Sequence, residues 1–415
     1  MIKHIFPAKV KGIIQAPASK SYLQRVLAIA LCAKGESVIK GYSESNDVNA
    51  AIQIAQKLGA KITISKHQVN ILGLNHSYKS EIEINCQEAG LSARMFSPII
   101  GLYYKKIKLN GSGSLLNRPF NMVEDALIAL GKNVKSNNGF LPLEISGVFK
   151  KKEITIDGSE TSQLLTGLLI ALPQLKHNTI LHVTNLKSIP YVKMTISILK
   201  KFGIIITHNR FNQFNIKGNQ IPIPKKINIE GDWSGASFML VAAAINGNVL
   251  VKGLNKKSLQ ADIKIIDVLK LCGAQIHFIK DGIYVSKNKL TAFNFDCTHC
   301  PDLFPVLAAL AVNCKGTSTL TGTNRLINKE SNRALTIKKE LTKLGVEISL
   351  HDNEMKIKGR KISGANLNSH NDHRIAMMLA ILGLTSENGV TIKGAECVAK
   401  SYPTFFEDLL ALTSN

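Results

Sequence analysis

Two kinds of helical pattern alternate along this chain. In the first kind, apolar residues recur on one helical face, a glycine follows, and a stretch of alternating polarity typical of a strand comes next. The closing glycines are spaced 72, 72, 70 and 72 residues apart, and glycine suits the left-handed position that ends a helix. The pattern predicts five amphipathic helices in equivalent places, at residues 51–59, 122–131, 194–203, 263–273 and 335–345.

The second kind of helix is apolar on nearly all faces and also recurs. Its copies begin at intervals of 71, 70, 72, 68 and 71 residues, near Ser21, Ser92, Ser162, Ser234, Asp302 and His373. A helix without a polar face is buried, and the amphipathic helices are expected to cover it. The repeating unit is therefore about 70 residues of mixed helix and strand. Six such units account for the whole chain and predict an α/β fold.

The sixth unit lacks its last strands, and two strand-like segments stand at the other terminus. The simplest interpretation is that residues 2–6 and 10–15 complete this last unit. One lobe of three units then spans residues 18–228, and a discontinuous lobe combines residues 1–17 with 229–415. Two chain crossings join these predicted lobes, which makes a hinge between them plausible.

The composition of the chain indicates which kind of partner it binds. The 415 residues carry a formal net charge of +23, which favours anionic partners of unspecified size. The lysines are scattered, no apolar run approaches the roughly 20 residues of a membrane span, and the N-terminus lacks a signal-peptide core. A cytoplasmic protein without a membrane partner is expected. The seven cysteines are expected to be reduced, and the lone Cys297–Cys300 pair is interpreted as buried and non-functional.

Polar residues precede every apolar helix, and arginines recur early in three of them, at Arg25, Arg94 and Arg374. Helix N-termini attract anions, and capping explains the serines but not these arginines. If the repeats share a fold, each lobe directs three such N-termini one way, and facing lobes form a cleft that binds phosphates and carboxylates. Glu330 and Asp302 add two carboxylates for proton transfer.

These residues resemble the 5-enolpyruvylshikimate-3-phosphate synthases, a family of enolpyruvyl transferases, over essentially the full length. The resemblance implies a two-lobed, inside-out α/β barrel-like fold of six βαβαββ repeats, three per lobe. The segments that carry it, in order, are Ser19-Lys20-Ser21 with Arg25, Asn117-Arg118-Pro119, Gly158-Ser159 with Ser162-Gln163, Ile189-Pro190-Tyr191, Glu230-Gly231-Asp232, Pro301-Asp302, Lys329-Glu330-Ser331 with Arg333, Asn371-Asp372-His373-Arg374 and Val398-Ala399-Lys400.

The implied reaction transfers the enolpyruvyl group of phosphoenolpyruvate to the 5-hydroxyl of shikimate 3-phosphate. It proceeds by addition and elimination through a tetrahedral intermediate, with no cofactor or metal, in a monomer. The proton-transfer set implied is Lys20, Asp302 and Glu330, with the division of steps left open. Phosphoenolpyruvate would contact Lys20, Gly90, Arg118, Gln163, Arg333, Arg374 and Lys400. Shikimate 3-phosphate would contact Lys20, Ser21, Arg25, Thr161, Ser162, Gln163, Ser188, Asp302 and Lys329, whereas His373 either orients a pyruvyl group or only completes hydrogen bonds.

The chain also departs from the family pattern near the second apolar helix. Glu88 and Leu91 stand in a segment that commonly reads Asn-Ala-Gly-Thr, and Met95 replaces a common proline. A carboxylate at position 88 would repel phosphoenolpyruvate unless it points away, and inhibitor sensitivity does not follow from the sequence. Thr161 keeps the hydroxyl of the usual serine, and Asn332 replaces an aspartate.

Three other functions remain open at this point. A UDP-N-acetylglucosamine enolpyruvyl transferase would share the architecture, but that family usually has a cysteine in the loop corresponding to residues 111–118, where this chain has none. A nucleic-acid-binding protein would explain the charge, but not the low aromatic content of 6%. A redox or zinc protein would rest on the Cys297–Cys300 pair alone.

Overall fold

The computed structural model describes residues 1–74 and 79–413. They form two compact units. The central unit is Lys20–Ile229, and the terminal unit combines Met1–Ser19 with Glu230–Asn415. Each unit contains three sheets and three strongly buried helices.

Short strands alternate with helices throughout the described residues. The strands are β1 (Ile2–Ile5), β2 (Val10–Gln15), β3 (Glu36–Lys40), β4 (Lys61–Ser65), β5 (Gln68–Leu72), β6 (Lys79–Asn85), β7 (Tyr104–Asn110), β8 (Asn133–Asn137), β9 (Phe140–Ser146), β10 (Glu153–Asp157), β11 (Thr179–Thr184), β12 (Ile206–Asn209), β13 (Gln213–Ile216), β14 (Lys226–Asn228), β15 (Gly247–Lys252), β16 (Gln275–Ile279), β17 (Gly282–Ser286), β18 (Asn294–Asp296), β19 (Thr317–Thr321), β20 (Ile348–His351), β21 (Glu354–Lys358), β22 (Ala365–Asn368) and β23 (Val390–Lys393).

The sheets repeat one topology. The central unit has the orders β14-β3-β5-β4, β6-β7-β9-β8 and β10-β11-β13-β12, and the terminal unit has β2-β15-β17-β16, β18-β19-β21-β20 and β22-β23-β1. In each, the first two strands are parallel and the next pairs are antiparallel. The predicted sixfold α/β repeat is therefore confirmed. Where the two parallel strands are joined through a single apolar helix, as in β6-α3-β7, a right-handed βαβ crossover is the expected connection.

The placement predicted for the second N-terminal strand is wrong. Strand β1 does pair with β23 and so completes the last sheet, but β2 pairs in parallel with β15, in the fourth repeat. Strand β14 has the corresponding place beside β3, in the first repeat. Strand β2 belongs to the terminal unit and is followed by α1 of the central unit, whereas β14 belongs to the central unit and is followed by α7 of the terminal unit. The chain therefore crosses from one unit to the other directly after each of these two strands.

The helices alternate between the two predicted kinds. They are α1 (Lys20–Leu31), α2 (Asn46–Leu58), α3 (Gly90–Tyr103), α4 (Asn121–Ala129), α5 (Gln163–Ala171), α6 (Ile189–Lys201), α7 (Trp233–Asn246), α8 (Ile265–Leu271), α9 (Phe304–Val312), α10 (Arg333–Lys343), α11 (His373–Gly383) and α12 (Phe405–Thr413). Odd-numbered helices are the apolar kind, and every residue of α9 and α11 is buried.

Glycine closes the amphipathic pattern where the sequence predicts it. Gly59, Gly131, Gly203, Gly273 and Gly345 have φ values of 110°, 96°, 84°, 92° and 75°. A side chain at such a φ is strained, so glycine is the residue that ends these helices at least cost. In the described part of the chain, no helix has the length and apolar character needed to cross a bilayer.

Candidate functional site

A buried ion cluster lies in the terminal unit around Arg333, the first residue of α10. The Arg333 side chain is 1% exposed, and its guanidinium donates to three carboxylates. Nη1 lies 2.9 Å from Asp302 Oδ1, Nη2 lies 2.6 Å from Glu330 Oε2, and Nε lies 2.8 Å from Asp372 Oδ2. Burial lowers the pKa of Arg333, but these anions outweigh it and hold the pKa above its ordinary value. Arg333 therefore fixes the carboxylates of three separate segments.

Asp302 is the most exposed carboxylate of this cluster, with 27% of its side chain accessible. Its Oδ2 accepts from Arg374 Nη2 at 3.1 Å, and Lys329 Nζ lies 3.8 Å from its Oδ1. Burial raises the pKa of Asp302, yet the charges of Arg374, Lys329 and Arg333 hold it well below its usual range. Asp302 is thus an ionised acceptor that is still reachable by a ligand.

Lys329 is the cation of this group that is closest to losing its proton near neutral pH. Burial lowers the pKa of Lys329 to about 8, against the raising effect of Asp302. A group that titrates near the working pH can both accept and donate a proton. Glu330, the next residue, is held against Arg333 with 11% of its side chain exposed.

Several charged and buried side chains lie around the start of α11. Asp372 is the N-cap residue, and its Oδ1 accepts from Arg374 N at 3.0 Å, while its other oxygen accepts from Arg333. His373 is buried, with Nδ1 3.9 Å from Asp372 Oδ1. Lys400 ends the 3₁₀ helix Ala395–Lys400, which packs against α11, and its side chain is buried. Asp372 belongs to the cluster, although the sequence predicted no role for it.

In the central unit, Lys20 begins α1 and forms an ion pair with Asp47. The distance from Lys20 Nζ to Asp47 Oδ2 is 2.7 Å, with both side chains largely buried. The carbonyl of Asp47 also accepts from Gln24 Nε2 at 2.7 Å, which ties the start of α2 to α1. Sequence reasoning missed Asp47; its position in the first turn of α2, where acidic residues are favoured, was the available signal.

Arg25 is a buried guanidinium held by neutral groups. It is 2% exposed, and it donates to Thr195 Oγ1 at 3.0 Å, to the Ser21 carbonyl at 2.8 Å and to Thr166 Oγ1 at 3.4 Å. The Tyr191 ring centroid lies 5.6 Å from its Cζ. Burial lowers the pKa of Arg25 to about 10, although Tyr191 raises it. Within residues 1–74 and 79–413, no carboxylate forms an ion pair with Arg25.

Two more arginines meet at Gly90, the first residue of α3. A Cβ added at Gly90 would lie 2.5 Å from Arg118 Nη1 and 3.1 Å from Arg94 Nη1. Arg94 donates to Gln163 Oε1 at 3.2 Å and to the Pro119 carbonyl at 2.9 Å. A side chain at position 90 would therefore displace the Arg118 guanidinium, and glycine lets two guanidinium groups lie close to the N-terminus of α3. Arg94 was noted in the repeat pattern but was not among the predicted ligands.

The remaining predicted residues of the central unit lie at the starts of α5 and α6. Ser162 occupies the N-cap position of α5 without a side-chain capping bond, and instead Thr161 Oγ1 accepts from Gln163 N at 3.2 Å. Ser188 precedes α6 with a left-handed φ of 55° and is buried. Such backbone conformations are costly for a residue other than glycine and cluster at functional sites.

Glu88, the residue that departs from the family pattern, faces a loop. Its Oε2 accepts from Ser114 Oγ at 3.1 Å, and its carboxylate also lies against Gly113. These two residues belong to the 3₁₀ helix Gly113–Asn117, which leads directly to Arg118. The carboxylate at position 88 is therefore accommodated by the loop that carries Arg118.

The cysteines lie away from solvent. Cys297 and Cys300 are buried thiols, as are the other cysteines. No group of three or more His, Cys, Asp or Glu residues is placed to hold a metal ion within the part of the chain that the structure describes.

Comparison with known proteins gives a uniform result. Residues 6–409 match the model of the family described as EPSP synthase (3-phosphoshikimate 1-carboxyvinyltransferase). The chain is similar to the 3-phosphoshikimate 1-carboxyvinyltransferase of Clostridium kluyveri, with 36% identity over 98% of this chain and 96% of that protein. It is 38% identical to the protein of the same name from Clostridium acetobutylicum, over 98% and 96% of the two chains.

Solved structures show the same fold at lower identity. The structure of EPSP synthase from Acinetobacter baumannii matches with a TM-score of 0.81 and 23% identity, over 99% of this chain and 98% of that one. The enolpyruvyl transferase NikO from Streptomyces tendae matches with a TM-score of 0.78 and 15% identity, over 99% and 97%. These likenesses confirm the α/β fold.

Proposed function

Since the chain belongs to the EPSP synthase family and transfers the enolpyruvyl group of phosphoenolpyruvate to shikimate 3-phosphate, we propose that the cations and carboxylates described above form the site of this reaction. The observation that carries this assignment is the Arg333 cluster, in which three carboxylates and the nearby Arg374 and Lys329 come together at helix starts. Each lobe is proposed to supply a different part of the site, and a reaction between the lobes stays a prediction.

The central unit is proposed to bind shikimate 3-phosphate through Arg25. A buried guanidinium whose described partners are neutral is strongly favoured by an incoming anion, and its fork geometry matches a phosphate. The proposed companions are polar side chains at helix starts of the same unit, together with two residues of the terminal unit: Lys20, Ser21, Thr161, Ser162, Gln163, Ser188, Asp302 and Lys329.

Phosphoenolpyruvate is proposed to contact Arg118, which approaches Gly90, together with Arg374 in the first turn of α11 and Lys400 in the 3₁₀ helix that packs against α11. Cations held by fixed partners can balance the carboxylate and phosphate of this substrate without reorganising. Lys20 and Gln163 are proposed to complete the set. Arg333 is proposed both to hold Asp302 and Glu330 as their counter-ion and to contact phosphoenolpyruvate, because four of its five N–H groups donate to carboxylates and one is left for the substrate.

Proton transfer is proposed to involve Lys20, Asp302 and Glu330. The 5-hydroxyl attacks C2 of phosphoenolpyruvate while C3 gains a proton; phosphate then leaves as C3 loses a proton. Asp302, being held ionised, accepts a hydrogen bond from the hydroxyl and orients it. Its low pKa makes it a weak final acceptor, and Lys329, with a pKa of about 8, adds a candidate for that role.

A coupled phosphate-release assay tests this function directly. Shikimate 3-phosphate with phosphoenolpyruvate is expected to release phosphate, and UDP-N-acetylglucosamine with phosphoenolpyruvate is expected to give only the rate without enzyme. The second substrate tests the alternative transferase, which the names of the relatives do not favour. Release with the second pair and not the first would overturn the assignment. Action in the cytoplasm as a monomer, on small molecules rather than nucleic acid, is part of the proposal.

A further inference from the structure

Asp262 is a buried carboxyl group that the reaction described above does not use. It lies in the 3₁₀ helix Ala261–Lys264, just before α8, and is 1% exposed. Its Oδ2 accepts a hydrogen bond from Ser234 Oγ. Its Oδ1 has no hydrogen-bond partner among the described residues. An ionised carboxylate with an unpaired buried oxygen is costly, so this geometry favours the neutral acid.

The charges that face Asp262 come from the helix starts of the same unit. Asp232 caps α7, Asp302 precedes α9, and Arg374 lies in the first turn of α11. Burial and the charges of Asp302 and Asp232 raise the pKa of Asp262, while Arg374 and the Ser234 hydrogen bond lower it, and the net effect is a pKa of about 7. Burial raises the pKa of the Cys297 thiol, and the charge of Asp262 adds to this effect.

Arg374 is the link between Asp262 and the substrate. Burial lowers the pKa of Arg374, and the charges of Asp302, Asp262 and Asp232 raise it above its ordinary value. Arg374 forms an ion pair with Asp302 at 3.1 Å. The start of α7 holds Asp262 through Ser234, and α7 packs against α11, the helix that carries Arg374. Whether Asp262 is neutral or ionised changes how much positive charge Arg374 presents to an anion.

We propose that Asp262 is a positioning residue for phosphoenolpyruvate that acts through Arg374. As a neutral acid it leaves the Arg374 charge available to the substrate anion, and as a carboxylate it competes for that charge. This inference rests on the proposed role of Arg374 in binding phosphoenolpyruvate. Linkage is reciprocal: bound phosphoenolpyruvate must favour the neutral form of Asp262 by the same factor by which that form favours binding.

The expected consequence is a rise in KM for phosphoenolpyruvate as Asp262 ionises. With a pKa of about 7, most molecules change state between about pH 6 and pH 8. We expect KM to rise about fivefold across this range, the lower end of typical coupling between sites, with kcat changing less. The phosphate of the substrate and Lys329 also titrate here, so a comparison between variants is needed.

The test compares steady-state pH profiles of wild-type protein with Asp262→Asn, Ser234→Ala and Asp267→Asn. Asp262→Asn, a permanently neutral isostere, should lose the rise in KM. Ser234→Ala removes a hydrogen bond that favours the ionised form, so the rise should move to higher pH. Asp267→Asn removes an equal charge from the exposed surface of α8 and should keep the wild-type profile. Identical profiles for wild type and Ser234→Ala would overturn the inference, even if Asp262→Asn fails to fold.

Two measurements separate this inference from the proposed function. Arg374→Lys should raise KM for phosphoenolpyruvate at every pH, and an unchanged KM would contradict the proposed role of Arg374 itself. If Arg374→Lys raises KM for phosphoenolpyruvate but Asp262→Asn still shows the rise in KM with pH, only the role of Asp262 is overturned. Infrared difference spectra should show a protonated carboxyl signal at pH 6 that Asp262→Asn lacks and that phosphoenolpyruvate retains to higher pH; its absence from wild-type protein would also refute the inference.

Discussion

The approach of Arg118 to Gly90 allows a prediction whose size follows from the structure. In Gly90→Ala, the new methyl group would lie 2.5 Å from Arg118 Nη1. Ordinary contact between carbon and nitrogen needs about 3.4 Å or more, so the guanidinium has to move by roughly 1 Å. The Arg94 Nη1 atom, at 3.1 Å, limits the directions in which it can move.

A shift of this size breaks a charge-assisted hydrogen bond to a bound anion rather than weakening it slightly. Such a bond contributes about 1.5–3 kcal/mol, so KM for phosphoenolpyruvate should rise by about 10- to 100-fold. KM for shikimate 3-phosphate should change little, because Arg25 does not contact Gly90. The assay is phosphate release with each substrate varied in turn at saturating concentration of the other.

Gly101→Ala is the matched control for this substitution. Gly101 is buried near the other end of α3, and a Cβ there would meet the Phe149 ring and the Lys132 chain at 3.1–3.3 Å. It makes the same chemical change in the same helix without contacting Arg118. If both variants raise KM for phosphoenolpyruvate equally, or if Gly90→Ala leaves it unchanged, the proposed role of Arg118 is wrong.

Three further predictions concern individual charged groups. Glu330→Gln should lower kcat by about 10²- to 10⁴-fold while both KM values stay within a few-fold; a kcat within threefold of wild type would exclude Glu330 from proton transfer. Arg25→Lys loses the planar fork and should raise KM for shikimate 3-phosphate by at least about tenfold, with the melting temperature as its folding control, and equal KM values would contradict the assignment. Because the folded pKa of Asp262 is raised to about 7, the folded state binds more protons than the unfolded state between about pH 4 and 7. The free energy of unfolding should therefore fall as pH rises through this window, by up to about 4 kcal/mol relative to Asp262→Asn. Urea denaturation of both proteins at pH 4.5 and 8 measures this, and the same difference between them at both pH values would refute it.

The repeat pattern was the most informative feature of the sequence. Local signals were sufficient for the helices, because a glycine at a left-handed position and an apolar run depend on neighbouring residues. The partner of β2 was not predictable in this way. Its apolar pattern fits any sheet edge, and only long-range packing decides that it pairs with β15, more than 200 residues away in sequence.

The candidate site divides in the same manner. Residue types such as Arg25, Arg118 and Arg374 could be selected from the sequence because they recur at helix starts or match family segments. Their pairings could not, since Lys20 with Asp47 joins two different helices of one repeat and Arg333 with Asp372 joins two repeats. Asp262 was not predicted either, because a single aspartate in a loop sequence forms no recognisable pattern, and its burial could not be read from the sequence.

The buried arginines of the two units differ in their partners. Arg25 in the central unit is a buried cation with neutral partners. An anionic ligand would balance its charge, and the attraction between them would be strong because the guanidinium is largely shielded from water. In the terminal unit, Arg333 and Arg374 are already balanced by carboxylates, which keeps Asp302 ionised while fixing Glu330 in place. A chain that only bound anions would have no reason to bury these carboxylates beside its cations, because each lowers anion affinity. Their presence is explained if the site must also move protons, which is what enolpyruvyl transfer requires.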